Sequence, residues 1–474
     1  MYKNYPNDYV ALFFIKAIGN FFFYGLRGSL VLYLASQFGF SDASAFNLYG
    51  TFMTLSFLSP ILGGYLCDHF FGFRKSVLLG ITLIFAGSLI LSVYNQLFVI
   101  LGLSLVTIGM GIFQPSTSAA VGELLTASGK TQQRDRAFSF LYIGMNFGNF
   151  VGLITCGTLS HFYGKQSIFP VLGLIFFVSV ICSDRYFKNS PLLSKKGKHP
   201  PRNIRAITFI FLSIAGAFIT LRWLSNTFLI VVVGFCVILI MLGKIFREST
   251  PEEKNNLLVI SLLTMLFSGY WIFAEQTGSS ITLYVERVVD RSFYDNTTLP
   301  TLFFQSLNPA LVVLLGPLLI RYCFQYKNEI TLPEVFRRFG GGFFFMGLSL
   351  LLLGIGTPNP GKTLVSPVWI SLAYVFQVLG ELHIIPIGYA VVSRLSPRKH
   401  SATIMGIWMV AVSFGHYFAS VVAKSTFTGK EPSISESIEQ YKAFFSETAL
   451  ISIACSLTIF VSVYIISRLT TFKN

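Results

Sequence analysis

The sequence predicts an all-α protein that crosses a membrane many times, and three observations carry that expectation. Of 474 residues, 53% are hydrophobic and only 12% are charged, where a soluble chain carries roughly twice that charged share. The apolar residues come in continuous runs of about twenty or more, the length a helix needs to cross the hydrocarbon core, rather than in the alternating ten-residue segments of a β-barrel. Most of the 35 Lys and Arg residues fall between the runs, in alternate loops that lie on one side, as the positive-inside rule requires.

On that ruler the first spans lie near 10–36, 44–67, 76–94, 97–122, 138–162 and 168–187. The first is too long for the apolar region of a cleaved signal and reads as retained. A basic stretch follows at 188–205, then two further spans near 206–221 and 226–246, then a charged linker at 247–256. Six more spans fall near 257–285, 300–323, 339–356, 367–393, 401–423 and 444–467. The expected domains are therefore a six-helix bundle over 1–187, a cytoplasmic linker at 188–205, two accessory helices at 206–246, a second linker at 247–256 and a second six-helix bundle over 257–474.

Placing both termini in the cytoplasm puts Arg74, Lys75, Arg134, Arg136, Arg337, Arg338, Arg394, Arg398 and Lys399 on the inner side. The net charge of +15 is thereby a topology signal and not a nucleic-acid footprint. The six cysteines lie in or beside apolar runs without metal-ligand spacing, so neither a disulfide framework nor a metal centre is expected. No phosphate-binding glycine loop or separate catalytic domain is present, which argues against an enzyme.

Several spans carry polar groups that hydrocarbon penalises by several kcal/mol unless they face a partner or a cavity. Span 1 holds Lys16, Asn20, Tyr24 and Arg27; the two cations, eleven residues apart, share a stripe roughly 16 Å long. Span 4 has Gln114 followed by Pro115, span 5 has Tyr142 and Asn146, span 8 has Asn308-Pro309, and span 11 has Trp408 and His416. Two deep carboxylates, Glu275 in Glu275-Gln276-Thr277-Gly278 and Glu381 in Gly380-Glu381-Leu382-His383, complete the set. Isolated amides commonly serve as interhelical glue, and His383 and His416 read as polar packing. The spread of charges and amides over both halves points instead to a solvated cavity. Between spans 2 and 3, Gly63-Gly64, Asp68, Gly72 and Arg74-Lys75 suggest close helix approach and an ion-pair latch between Asp68 and the basic pair.

The Gly-Asp-Gly-Arg-Lys turn resembles the signature loop of the major facilitator superfamily. Within it, the motifs of spans 1, 4, 5, 7, 8 and 10 together resemble the proton-dependent oligopeptide transporter family. These are Phe23-Tyr24-Gly25-x-Arg27, Gly109-Met110-Gly111-Ile112-Phe113-x-Pro115, Tyr142-x-x-x-Asn146-x-Gly148, Trp271-x-Phe273-x-Glu275-Gln276, Gln305-Ser306-Leu307-Asn308-Pro309 and Glu381-Leu382-x-x-x-Pro386-x-Gly388. The resemblance implies a major facilitator fold of fourteen transmembrane helices that moves di- and tripeptides by alternating access in a bacterial inner membrane. It implies no cofactor other than a coupling proton, a short-peptide substrate, lipid as surroundings and a monomer.

By the same resemblance Arg27 contacts a peptide's carboxylate end, Asn146, Asn308 and Glu381 hold its amino end, and Tyr24 and Trp408 line the pocket. Glu275 carries the coupling proton. The chain departs from the family at span 1, where Glu-x-x-Glu-Arg is replaced by Lys16, Gly19 and Asn20, and at span 4, where a lysine is replaced by Gln114. Two readings follow. Lys16 takes over as partner of Glu275 and coupling persists, or the protein is an uncoupled facilitator or an exporter of another small metabolite or drug.

Overall fold

A computed structural model describes residues 7–38, 42–164, 168–188, 204–223, 227–278, 280–292, 299, 301–322, 330–358, 364–426 and 434–471. The expected basic linker at 188–205 lies largely outside the described residues. The structure is helical nearly throughout: α1 Asn7–Phe38, α2 Asp42–Leu58, α3 Pro60–Leu66, a π-helical turn Cys67–Phe71, α4 Gly72–Leu91, α5 Gln96–Ala127, α6 Arg134–Tyr163, α7 Ile168–Lys188, α8 Ile204–Trp223 and α9 Thr227–Glu248. There follow α10 Pro251–Ala274, a 3₁₀ turn Glu275–Gly278, α11 Ser280–Val288, α12 Thr301–Tyr322, α13 Leu332–Gly356, α14 Pro367–Leu395, α15 Ser401–Thr426 and α16 Ile434–Thr471. Among the described residues ten helical stretches are long and apolar enough to cross a membrane. The protein is thus a multi-pass integral membrane protein.

One of those stretches, Leu48–Leu91, is 44 residues long, more than a single crossing needs, and contains the π-helical turn. Gly72, with φ 70° and ψ 173°, occupies backbone space that favours glycine and turns the π-helical segment into α4. This is the point where the sequence places the loop between spans 2 and 3.

The chain divides into two compact units, Met1–Arg134 with Gly144–Thr264 and Tyr389–Ser413, and Asp135–Ile143 with Met265–Gly388 and Phe414–Asn474. In the first unit α3, α4 and α8 pack on α5, while α1 packs on α5 and α7. Glycine permits the tightest of these contacts. A Cβ on Gly63 would fall 2.1 Å from the Gly111 carbonyl oxygen, and one on Gly64 would fall 2.3 Å from that of Ala402. Pro115, inside α5, has no N–H to donate to Gly111 four residues earlier. The carbonyl that Gly63 packs against is therefore the one the proline releases. The accessory helices α8 and α9 keep large apolar side chains exposed, among them Phe211, Leu212, Trp223 and Ile240, a surface suited to lipid.

In the second unit α13 pairs along its length with α16. Ser452 and Ser456 donate across that seam to the carbonyls of Phe343 (2.8 Å) and Gly340 (2.7 Å), the small-residue and hydroxyl contacts that hold helices together in lipid. Gly342 of α13 likewise meets the Gly380 carbonyl of α14 at 3.1 Å from its notional Cβ.

Candidate functional site

The second unit holds both deep carboxylates, Glu381 in a hydrogen-bonded network that reaches Thr277 and Glu275 at the head of the turn that carries Thr277. Glu381, on α14, is buried and accepts three hydrogen bonds. Tyr142 Oη reaches Oε2 at 2.8 Å, Asn308 Nδ2 reaches Oε1 at 2.8 Å, and Gln377 Nε2 reaches Oε1 at 3.1 Å. A carboxylate offers about four lone-pair sites, so this one is nearly saturated by neutral donors and retains capacity for one more. Asn308 stands on α12 directly before Pro309, and Gln377 lies one helical turn before Glu381.

The network continues from Gln377 to Thr277, where the amide and hydroxyl exchange contacts of 3.0 and 3.2 Å. Thr277 belongs to the 3₁₀ turn that interrupts the predicted span 257–285. The sequence explains the interruption locally. Gln276 Nε2 folds back onto the Ile272 carbonyl at 3.0 Å, and such side-chain bonds together with Gly278 weaken an α-helix. Gln276 also donates to the Ala419 carbonyl of α15 at 3.3 Å and accepts from Ser280 Oγ at 2.8 Å. Glu275 opens the turn. Its Oε2 lies 3.0 Å from His416 Nδ1 on α15, with both side chains largely withdrawn from the surface.

In the first unit Lys16 is buried and does not snorkel. Its Nζ donates to the Gln114 carbonyl at 3.0 Å, to Thr117 Oγ1 at 3.3 Å and to Ser118 Oγ. Asn20 turns back to the Lys16 carbonyl at 2.9 Å. Arg27 donates through Nε to Tyr49 Oη at 3.0 Å and lies 5.5 Å from the centre of the Tyr24 ring. Asn146 is buried on α6 and accepts weakly from Asn149 Nδ2 at 3.4 Å. Trp408 is fully buried, edge-on to Tyr389 at 6.3 Å. The structure thus brings Lys16 to Gln114, Arg27 to Tyr24, and Asn308 to Glu381. Lys16 and Glu275, expected as partners, belong to different units, and each is engaged within its own.

Asp68 sits in the π-helical turn, and its carboxylate accepts from the backbone N–H of Ala402 at 3.2 Å and of Thr403 at 2.7 Å, and from Thr403 Oγ1 at 2.8 Å. It therefore caps the first turn of α15, where the orphan N–H groups and the positive dipole end favour an anion. Arg74 stands in the first turn of α4, half-buried. Nearby, Lys399 pairs with Glu248 at the end of α9, and His400 Nε2 lies 3.4 Å from the same carboxylate.

Tyr142, Gln377, Thr277 and His416 were not singled out by the sequence as site residues. The i, i+4 spacing of Gln377 and Glu381 was a readable signal. The other three reach their partners from different helices.

The sequence profile of the POT family matches residues 74–441. The chain belongs to the POT family. Members of this family are transporters and not enzymes. Among curated relatives, the chain is 27% identical over 425 residues to a protein of Bacillus subtilis called "Uncharacterized transporter YclF", covering 86% of this chain and 85% of the relative. It is 25% identical over 471 residues to the "Dipeptide and tripeptide permease B" of Yersinia enterocolitica, covering 95% and 93%. Among solved structures, a crystal structure of the peptide transporter POT in complex with sulfate superimposes with a TM-score of 0.75 at 23% identity, covering 99% of this chain and 96% of the other. A POT family transporter in complex with a thioalcohol-conjugated peptide gives a TM-score of 0.76 at 22% identity, with 97% and 96% covered. Tetrameric PepTSo2 gives 0.74 at 20% identity, with 97% and 98% covered. At these identities the structures speak for the fold.

Proposed function

We propose that this POT family protein moves di- and tripeptides, or peptide-like solutes, across a bacterial inner membrane by alternating access, coupled to protons through Glu275. The reading takes the chain as fourteen transmembrane helices, two six-helix bundles over 1–187 and 257–474 flanking the accessory pair at 206–246, with both termini cytoplasmic. The observation that carries the substrate class is the Glu381 site. A buried carboxylate held by Tyr142, Asn308 and Gln377 is oriented by neutral donors, so the charge of its ionised form is left for a cation to meet. A peptide's amino terminus is such a cation, whatever its side chains.

Arg27, held by Tyr49 and set against Tyr24, supplies the complementary charge for the carboxylate end. Asn146 and Asn308 add amide contacts, and Gln114, Tyr24 and Trp408 contribute to the walls. Lys16 serves with Glu275 in proton coupling, and Asp68 and Arg74 act as a latch whose Asp68 limb caps α15. The permease names of the bacterial relatives support peptide as substrate.

The test is thermal stabilisation of the purified protein by dialanine, with free alanine and a hydrophobic cation as comparisons, because a ligand that binds only the folded state raises the melting temperature. Stabilisation by dialanine alone is expected. Stabilisation by the hydrophobic cation and not by dialanine would favour the exporter reading.

A further inference from the structure

We propose that His416 is the proton-carrying partner of Glu275, and that the two form one shared proton site built on the 3₁₀ turn between α10 and α11. The inference rests on the transporter reading above and adds to it a residue and a route.

The contact is built into the packing. Residue 415, just before the histidine, is a glycine, and a Cβ there would fall 2.3 Å from Trp271 Cβ; only the bare backbone lets α15 approach α10 so closely. His416 Nδ1 then meets Glu275 Oε2 at 3.0 Å. One turn further along α15, the Ala419 carbonyl receives Gln276 Nε2, so residues 416 and 419 hold the two successive residues that open the turn. Among the described residues the charged group that meets His416 is Glu275, on the turn, and Glu381 of α14 is joined to the same turn through Gln377 and Thr277.

The proton count is simple. With neutral imidazole and ionised carboxylate the pair carries one negative charge, and Nδ1–H donates to the carboxylate. One added proton makes the pair neutral, either as imidazolium with carboxylate or as imidazole with carboxylic acid, and the hydrogen bond persists in both forms. Uptake from water on one side and release to water on the other needs no further co-reactant. Histidine suits the task because its charge changes between about pH 5 and 8.

The neutralisation has a path outward. The turn that carries Glu275 also carries Thr277, bonded to Gln377, which donates to Glu381. A change of charge at one end of the four-residue turn is thus mechanically joined to a ligand of the proposed amine-binding carboxylate.

The decisive variant is His416→Asn, because an asparagine side chain keeps an amide donor near the Nδ1 position without a titratable group. Purified wild type, H416N and Glu275→Gln are reconstituted into liposomes. They are assayed for dialanine counterflow without a gradient and for accumulation driven by an imposed pH gradient. The account expects H416N to lose gradient-driven accumulation as E275Q does, and its counterflow to lose the wild-type dependence on pH between about 5 and 8. A second readout needs no substrate: ¹⁵N spectra of histidine-labelled protein, with His416 assigned by its absence in H416N. The His416 titration is expected to move when Glu275 becomes Gln. Wild-type accumulation and pH profile in H416N, or a His416 titration unchanged in E275Q, would overturn the shared site and leave His416 a hydrogen-bonding residue. If wild type shows no peptide counterflow while the titration moves with E275Q, the peptide reading fails and the shared proton site stands.

Discussion

Glu381→Gln separates the charge of the proposed amine site from its architecture. The amide is nearly isosteric with the carboxylate. Its carbonyl oxygen still accepts from Asn308 and Gln377, and its NH₂ donates to Tyr142 Oη, so all three contacts at 2.8, 2.8 and 3.1 Å have a counterpart. The fold is therefore kept. What is lost is the charged acceptor for a substrate ammonium, an interaction that contributes about 1.5–3 kcal/mol. At 1.4 kcal/mol per factor of ten, dialanine binds about 10- to 150-fold more weakly. N-acetyl-dialanine, which has no ammonium, binds wild type and E381Q alike. Calorimetric titration of both ligands into both proteins gives the four affinities. Dialanine affinity in E381Q within about twofold of wild type, well under that span, would refute the reasoning. So would an equal loss for both ligands, because the charge of Glu381 would then not be what recognises the amine.

Three further outcomes follow from the geometry. Asp68→Ala removes the cap on α15 and lowers stability by about 0.5–2 kcal/mol, read as a drop in melting temperature; an unchanged value would mean that the cap is redundant. Lys16→Ala shifts the pH dependence of transport if Lys16 serves in proton coupling, and an unshifted profile would restrict Lys16 to joining α1 and α5. Lys399 holds Glu248 below its ordinary value of 4.5 through a charge-assisted hydrogen bond. A depressed carboxylate stabilises the fold above its unfolded value, and that contribution disappears as pH falls through the folded value. Any stability difference between wild type and Glu248→Gln is accordingly present at neutral pH and absent once the pH lies well below 4.5, a comparison of melting curves at the two pH values; a difference that persists in acid would assign it to packing.

The helices were legible because lipid leaves so few alternatives. A run long enough to cross must satisfy its backbone internally, and the expected spans near 97–122 and 367–393 coincide with α5 and α14 within a few residues. The two deep carboxylates were legible for the same reason, since charge in an apolar run is conspicuous. What the sequence did not disclose is which partner each charge takes. Lys16 found three neutral oxygens on α5, Asp68 found the N-terminus of α15, and Glu275 found His416, in every case on an element distant in the chain. The interruption at Glu275–Gly278 was hidden because hydropathy averages across it, although Gln276 and Gly278 carried a local signal. Gln377 could have been read from its spacing to Glu381; Tyr142 was visible as a polar residue of the span 5 motif without its partner, and nothing marked Thr277.

Counterflow in proteoliposomes tests the central claim most directly. Purified protein in liposomes preloaded with unlabelled dialanine is given a trace of labelled dialanine outside. The account predicts that label enters above the level of protein-free liposomes, that an unlabelled tripeptide competes with it and that free alanine does not. Entry indistinguishable from protein-free liposomes, from a preparation that is folded by its melting curve, would contradict it.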